Sequence, residues 1–255
     1  MNQELKASKI EELGKVWTPE TNWRVPTVRG EATFVFPAFG PNVYNEVVKQ
    51  VLANKQRLPT GEQNAFMLDE AYNSADKEVK GSQRTEFVRK NIIYNGWLWV
   101  PNVNVWTPRN ISNPGMYTVF DENGEGLAVE RSVAELENRL SGGSTEKGVR
   151  FSKDRKVAFS PLGLIKKGYH DKGTLAQDGA YIANYGAEGS EKLDAVAKAF
   201  SFRPYSWIVE NTTDKPIQTL SALDRLGDVV GSGLDAVFNA VGGRVGYVLP
   251  VSGSK

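Results

Sequence analysis

The most apolar stretch of the chain runs from Asn91 to Arg109, and it holds three of the six tryptophans within ten residues. Read with a period of two, Trp97, Trp99, Val103 and Val105 fall on one side, and Leu98, Val100 and Trp106 on the other. Apolar positions on both sides predict a strand covered on both faces. Pro101 lacks the N–H that a ladder needs, so the pattern predicts two short strands, Gly96 to Val100 and Val103 to Thr107, bent at Pro101-Asn102.

Ahead of this stretch the spacing turns helical. Leu5, Ile10 and Leu13 among Glu and Lys predict an amphipathic helix from Gln3 to Val16, followed by a proline-punctuated link from Trp17 to Pro26. The aromatic, β-branched run from Ala32 predicts a strand ending at Pro37, with a turn at Gly40-Pro41. Val43, Val47, Val48, Val51 and Leu52 share one helix face, with Asn42 as its N-cap. Thr60-Gly-Glu-Gln63 has the form of a capping box and opens a helix that turns Ala65, Leu68 and Tyr72 inward. A more polar helix is expected from Ser74 to Ile93.

Beyond the tryptophans, Asn123-Gly124 predicts a hairpin between Met116–Asp121 and Gly126–Glu130. Ser132-Val-Ala-Glu135 reads as a second capping box, starting a short helix. A second hairpin is expected between Val149–Ser152 and Lys156–Ser160. Then follow a helical turn at Thr174–Gln177, a strand at Tyr181–Tyr185, a helix at Ser190–Ala199 and a strand at Tyr205–Glu210. This alternation is compatible with a parallel βαβ unit. Leu234, Val237, Phe238 and Val241 predict a helix, and Arg244 to Val251 a last strand.

Together these elements predict an α+β fold: a mixed, largely antiparallel sheet with a buried tryptophan-rich strand, flanked by helices. Ser141-Gly-Gly-Ser-Thr is the one flexible-looking linker. The chain is expected to be a single domain over residues 1–255. The alternative is a helical and tryptophan-strand half, 1–140, joined to an α/β half with a basic hairpin, 145–255.

Composition narrows the chemistry mainly by exclusion. With no cysteine there is no disulfide, thiolate nucleophile or Cys-ligated metal, and one histidine rules out metal sites that need two. Thirty-one basic residues balance thirty acidic ones, so global charge selects no partner. No signal-peptide pattern or membrane-length apolar run is visible, which sets a cytoplasmic location as the expectation. Gly231-Ser-Gly-Leu-Asp-Ala236 matches the letters of a dinucleotide fingerprint. Too little chain follows for the required second strand and acidic residue, so it reads as a turn.

Four constellations remain. His170, in Lys-Lys-Gly-Tyr-His-Asp-Lys, reads as a solvated loop residue, since no nucleophile elbow exists to pair with it. Asp69-Glu70 and Asp121-Glu122 read as solvated acids. Between Lys147 and Lys172 lie eight basic residues, Lys147, Arg150, Lys153, Arg155, Lys156, Lys166, Lys167 and Lys172, interleaved with Phe151, Phe159, Tyr169 and His170. That mixture suits nucleic acid or another polyanion, and equally an ordinary solvated face. Within it Lys153, Arg155, Lys156, Lys166, Lys167, Tyr169 and His170 are the candidate ligand-binding residues. If exposed, Trp97 and Trp99 would stack a ligand with Asn95, Asn102 and Asn104 as hydrogen-bonding partners; their apolar neighbours favour the core. No cofactor or metal is expected and no catalytic residue is identifiable. The leading functional expectation is a non-enzymatic binding or interaction protein with an unidentified partner. A nucleic-acid or polyanion binder and an enzyme built on carboxylates with Arg or Lys are the alternatives.

Overall fold

The computed structural model describes residues 22–76, 82–93, 96–200, 203–224, 235–240 and 245–252. The helix expected at Gln3–Val16 and the glycine turn at 231–234 lie outside these residues. The tryptophan stretch forms one ten-residue strand, β4 (Trp97–Trp106), where two bent strands were expected. Its antiparallel neighbour β11 (Ile217–Asp224) shows why. Leu220 faces Val103 while the next residue, Ser221, faces Val100, so Pro101 and Asn102 bulge out of the ladder where no N–H is required. The Pro101 carbonyl instead accepts the Asp121 N–H at 2.9 Å.

A mixed, mostly antiparallel sheet grows outward from β4, giving an α+β fold. Beyond β11 lie β12 (Asp235–Ala240), β10 (Tyr205–Trp207) and β9 (Gly168–Tyr169). On the other edge β5 (Gly115–Phe120) pairs Asn102–Trp106, followed by β8 (Val157–Pro161), β7 (Val149–Phe151) and β6 (Ser144–Glu146). β13 (Gly246–Val248) runs parallel to the start of β4 and pairs β3 (Phe39–Asn42). A separate ribbon joins β1 (Trp23–Thr27) to β2 (Gly30–Phe34), so part of the expected proline-punctuated link is strand. The expected Gly40-Pro41 turn is likewise inside β3. Strands from both sides of residue 141 share the sheet.

The two-sided apolar pattern of β4 corresponds to helices on both faces. On one face, helix α1 (Tyr44–Ala53) lays Tyr44, Val47, Val48 and Val51 against Trp99 and Val103. On the other, α2 (Gly61–Asn73) and a long helix α5 (Gly179–Ala197) cover Leu98, Val100 and Trp106. Trp99 is fully buried, Trp97 is half-buried, and their rings meet edge to face at 5.4 Å. The Thr60–Gln63 capping box is complete, each side chain bonding the other's backbone N–H. At Ser132, which precedes α4 (Val133–Leu140), no side-chain cap bond forms. Of the helix expected at Ser74–Ile93, residues 74–76 are not helical, and α3 (Gln83–Phe87) is a short α-helix running into a π-helical turn, Val88–Ile93.

Three local signals were overridden. After Asn123-Gly124 the chain enters a 3-10 turn, Gly126–Ala128, and not a returning strand, because both edges of β5 are already taken by β4 and β8. Tyr181–Tyr185 is helical. The Asp178 side chain accepts the Ala180 and Tyr181 N–H groups as an N-cap, and this part of α5 is buried all round, so no polar stripe marks its helical period. Asp235–Ala240, with helical spacing in the sequence, is instead the strand β12 between β11 and β10. The β10–β12 pair is parallel, but the chain between them passes through β11, so it is not a simple βαβ crossover. No described helix is long and apolar enough to cross a membrane.

Candidate functional site

Where α5 meets the N-terminus of α2, the helix breaks. Gly186 takes φ 74° and ψ 167°, a region open essentially to glycine alone, and splits α5 into two segments. The break lets neighbours approach closely. A Cβ on Gly186 would stand 3.3 Å from a Glu62 carboxylate oxygen and 3.7 Å from the Arg155 guanidinium. Gly61, the first residue of α2, is packed so tightly that a Cβ there would come within 2.0 Å of the Asn184 carbonyl.

A cleft of about 250 Å³ opens at this junction. Its floor is sheet, with Asn102 from the β4 bulge, Thr118 from β5 and Ala158 from β8; Asn184 and Gly186 of α5 form one wall, and Glu62, Arg29 and Arg155 line the rest. The floor is a buried hydrogen-bond network. Asn102 donates to both the carbonyl and the side-chain oxygen of Asn184, each at 3.1 Å. Asn184 donates in turn to Asn104 and Thr118, and accepts from the Ser221 hydroxyl at 2.8 Å. Thr118 and Asn104 close the circuit, with Asn104 donating to Ser221. Every member is buried, so each partner the network supplies offsets a desolvation cost that would otherwise stand against folding.

The charged wall is unevenly satisfied. Arg155 makes two bonds to Glu146 and lies over the Phe151 ring with its guanidinium carbon 4.0 Å from the centroid, which fixes it in place. Hydrogen bonding to Arg155 holds the Glu146 carboxyl below the usual carboxylate range. Glu62 has no ion-pair or hydrogen-bond partner among the described residues, and burial pushes its carboxyl upward, opposed by Arg29 and Arg155. An unpaired, partly desolvated carboxylate in a concave site is a common mark of a functional position.

Of the residues singled out in the sequence, Arg155 and Lys156 line this cleft. Asn102 and Phe151 line it too, while Lys153, Lys166, Lys167, Tyr169 and His170 do not. Five of the eight cations are ion-paired: Lys147 with Glu191, Arg150 with Glu137, Arg155 with Glu146, Lys156 with Glu122 and Lys167 with Glu210. Lys153 and Lys166 are exposed. Tyr169 is exposed at the sheet edge, with Tyr205 edge-on at 4.9 Å and Arg203 over its ring.

Two solvated readings are corrected. His170 is 1% exposed and its Nε2 lies 2.8 Å from the Ser206 hydroxyl. The same nitrogen is 3.9 Å from Asp178, so histidine, serine and carboxylate do not form a relay through opposite ring nitrogens. Burial lowers His170 to about 4 and raises Asp178 to about 6. Asp121 is also buried, accepting from the Tyr44 hydroxyl, the Glu125 and Gly126 N–H groups and Arg131. Asp69, by contrast, meets Lys192 at the surface. The asparagines beside the tryptophans do supply hydrogen bonds, but Asn102 and Asn104 face α5, the side opposite Trp99.

Glu62, Arg29, Asn184 and Gly186 were not singled out in the sequence. Asn102 and Asn104 were named only as partners of exposed tryptophans, not as the floor of a cleft on the opposite face. No protein-family model and no curated protein matches the chain. A solved structure described as "Accommodation of massive sequence variation in Nanoarchaeota by the C-type lectin fold" superposes with a TM-score of 0.49 at 11% identity, over 92% of this chain and 100% of that one.

Proposed function

We propose that this protein is a binding protein that takes a small polar ligand into the cleft between Glu62, Asn102 and Gly186, its two flanks acting as one domain. One observation carries the reading. An unpaired carboxylate faces a closed, buried amide network across a cavity that a glycine-only backbone conformation keeps open. At about 250 Å³ the cavity is below the common range of roughly 300–1,000 Å³ for drug-sized ligands, so the ligand is small. Glu62 is the one acid among the described lining residues, with Glu146 and Glu188 near enough to oppose its charge. The basic segment lends less support to polyanion binding, since an ion-paired cation must give up its carboxylate before it can bind a phosphate.

The test is a screen of small polar fragments read by NMR. Under this reading, binders shift the side-chain amide signals of Asn102 and Asn184. Shifts clustering on Tyr169, Tyr205 and Trp207 would move the site to the sheet edge and refute it.

A further inference from the structure

The polar atoms of the cleft divide by depth and by kind. Asn102 is 3% exposed, and both bonds it donates go to Asn184, one of them to a backbone carbonyl. A carbonyl cannot donate, so this contact fixes which end of the Asn102 amide is nitrogen. The Asn102 oxygen accepts from no donor among the described residues. The amide packs against Gly61, the residue before Glu62: a Cβ on Gly61 would lie 3.2 Å from the Asn102 nitrogen, and Glu62 and Asn102 line the same cleft. The cleft therefore offers two acceptors to which no described residue donates, the Glu62 carboxylate and the Asn102 amide oxygen. The lining also holds the Tyr185 hydroxyl, which is buried without a partner among the described residues, while other lining groups are engaged. Thr60 and Gln63 are occupied by each other, Thr118 by Asn104 and Asn184, Arg155 by Glu146, and Lys156 by Glu122. Arg29 is exposed and has no ion pair among the described residues.

Acceptors inside and a cation at the rim define a complementary molecule. Resting on the reading that this cleft is a ligand site, we propose that the ligand is a small zwitterionic amine. Its primary ammonium group seats on the Glu62 carboxylate and the Asn102 amide oxygen, and its carboxylate reaches Arg29. An ammonium group carries three donors and no acceptor, matching a pocket of unpaired acceptors, and its charge compensates the carboxylate that burial disfavours. A purely anionic ligand would set its charge against Glu62 and leave the Asn102 oxygen without a donor.

Three probes of equal chain length separate the contributions: 5-aminopentanoate, pentylamine and pentanoate, each titrated against the full chain and followed by the Asn102 and Asn184 side-chain amide signals. The zwitterion is expected to bind most tightly, pentylamine more weakly, and pentanoate not measurably. Glu62→Gln keeps the side-chain shape and is expected to weaken both amines by at least about tenfold, the loss of one charge-assisted contact. Arg29→Ala is expected to abolish the advantage of 5-aminopentanoate over pentylamine, the two binding equally in that variant. Pentanoate binding as well as the amines, or amine binding unaffected by Glu62→Gln, would overturn the proposal. If polar fragments occupy the cleft but neither amine does, the ligand class is wrong and the binding reading stands. If neither fragments nor amines bind there, both fail.

Discussion

Replacing Asp121 with Ala tests the least expected feature of this structure, a carboxylate buried beneath a turn that its sequence marks as solvated. The side chain is 1% exposed and takes the Tyr44 hydroxyl at 2.8 Å, the Gly126 N–H at 2.7 Å, the Glu125 N–H at 3.0 Å and Arg131 at 3.3 Å. Arg131 is itself only 9% exposed at the side chain, though it also bonds the Gly126 and Val129 carbonyls and Gln218. Removing the carboxylate strands a nearly buried guanidinium, which costs about 3–5 kcal/mol when one partner of a buried pair is lost. The three neutral donors would each add about 1–3 kcal/mol if left unsatisfied, but the turn can open to water and recover part of that. The expected loss is therefore about 3–5 kcal/mol, a fall in Tm of roughly 6–20 °C for a chain of this size. Urea unfolding followed by tryptophan fluorescence measures it. Tyr44→Phe removes one charge-assisted bond and should cost about 1.5–3 kcal/mol alone, and much less in the Asp121→Ala background. Stability of Asp121→Ala within about 0.5 kcal/mol of the parent, the range of ordinary surface substitutions, would show that the carboxylate is solvated and that the turn forms without it.

Three further outcomes can be checked. Trp99→Ala should cost about 3–5 kcal/mol, because the ring is fully buried against Tyr44 and its Nε1 donates to the Asn42 carbonyl, whereas half-buried Trp97→Ala should cost clearly less; equal losses in chemical denaturation would contradict this ordering. Glu62→Gln should be more stable than the parent near neutral pH. A carboxyl raised in the folded state loses stability as pH rises through its folded value, so the difference should shrink as pH falls toward the ordinary carboxylate range, and Tm across pH reads it. His170 and Asp178 should oppose each other in acid. A histidine lowered to about 4 sheds stability as pH falls from about 6.5, and an aspartate raised to about 6 gains it until about 3.8, each by up to about 3 kcal/mol. His170→Gln should therefore gain stability relative to the parent between pH 6 and 4 and Asp178→Asn should lose it, with parallel pH curves for all three proteins as the refuting result.

The sequence by itself determined the elements whose signal is local or strictly periodic. The two faces of β4, the Val47–Val48–Val51 face of α1 and the Thr60–Gln63 box all follow from residues near one another in the chain. Their side-chain period or capping chemistry needs no distant partner. Tertiary structure decided the segments whose local preference met a stronger non-local one. Asn123-Gly124 still turns the chain, but a returning strand would have needed an edge of β5 that β8 already occupies. Asp235–Ala240 has helical spacing, yet it is drawn into the sheet by ladders on both sides. Tyr181–Tyr185 is so completely buried that hydrophobicity carries no period at all, and its helix is set by Asp178 and ended by Gly186. The cleft belongs to this second class. Glu62, Asn102, Asn184 and Arg155 come from four separate parts of the chain, and an unpaired carboxylate differs from a solvated one only through what the fold places around it.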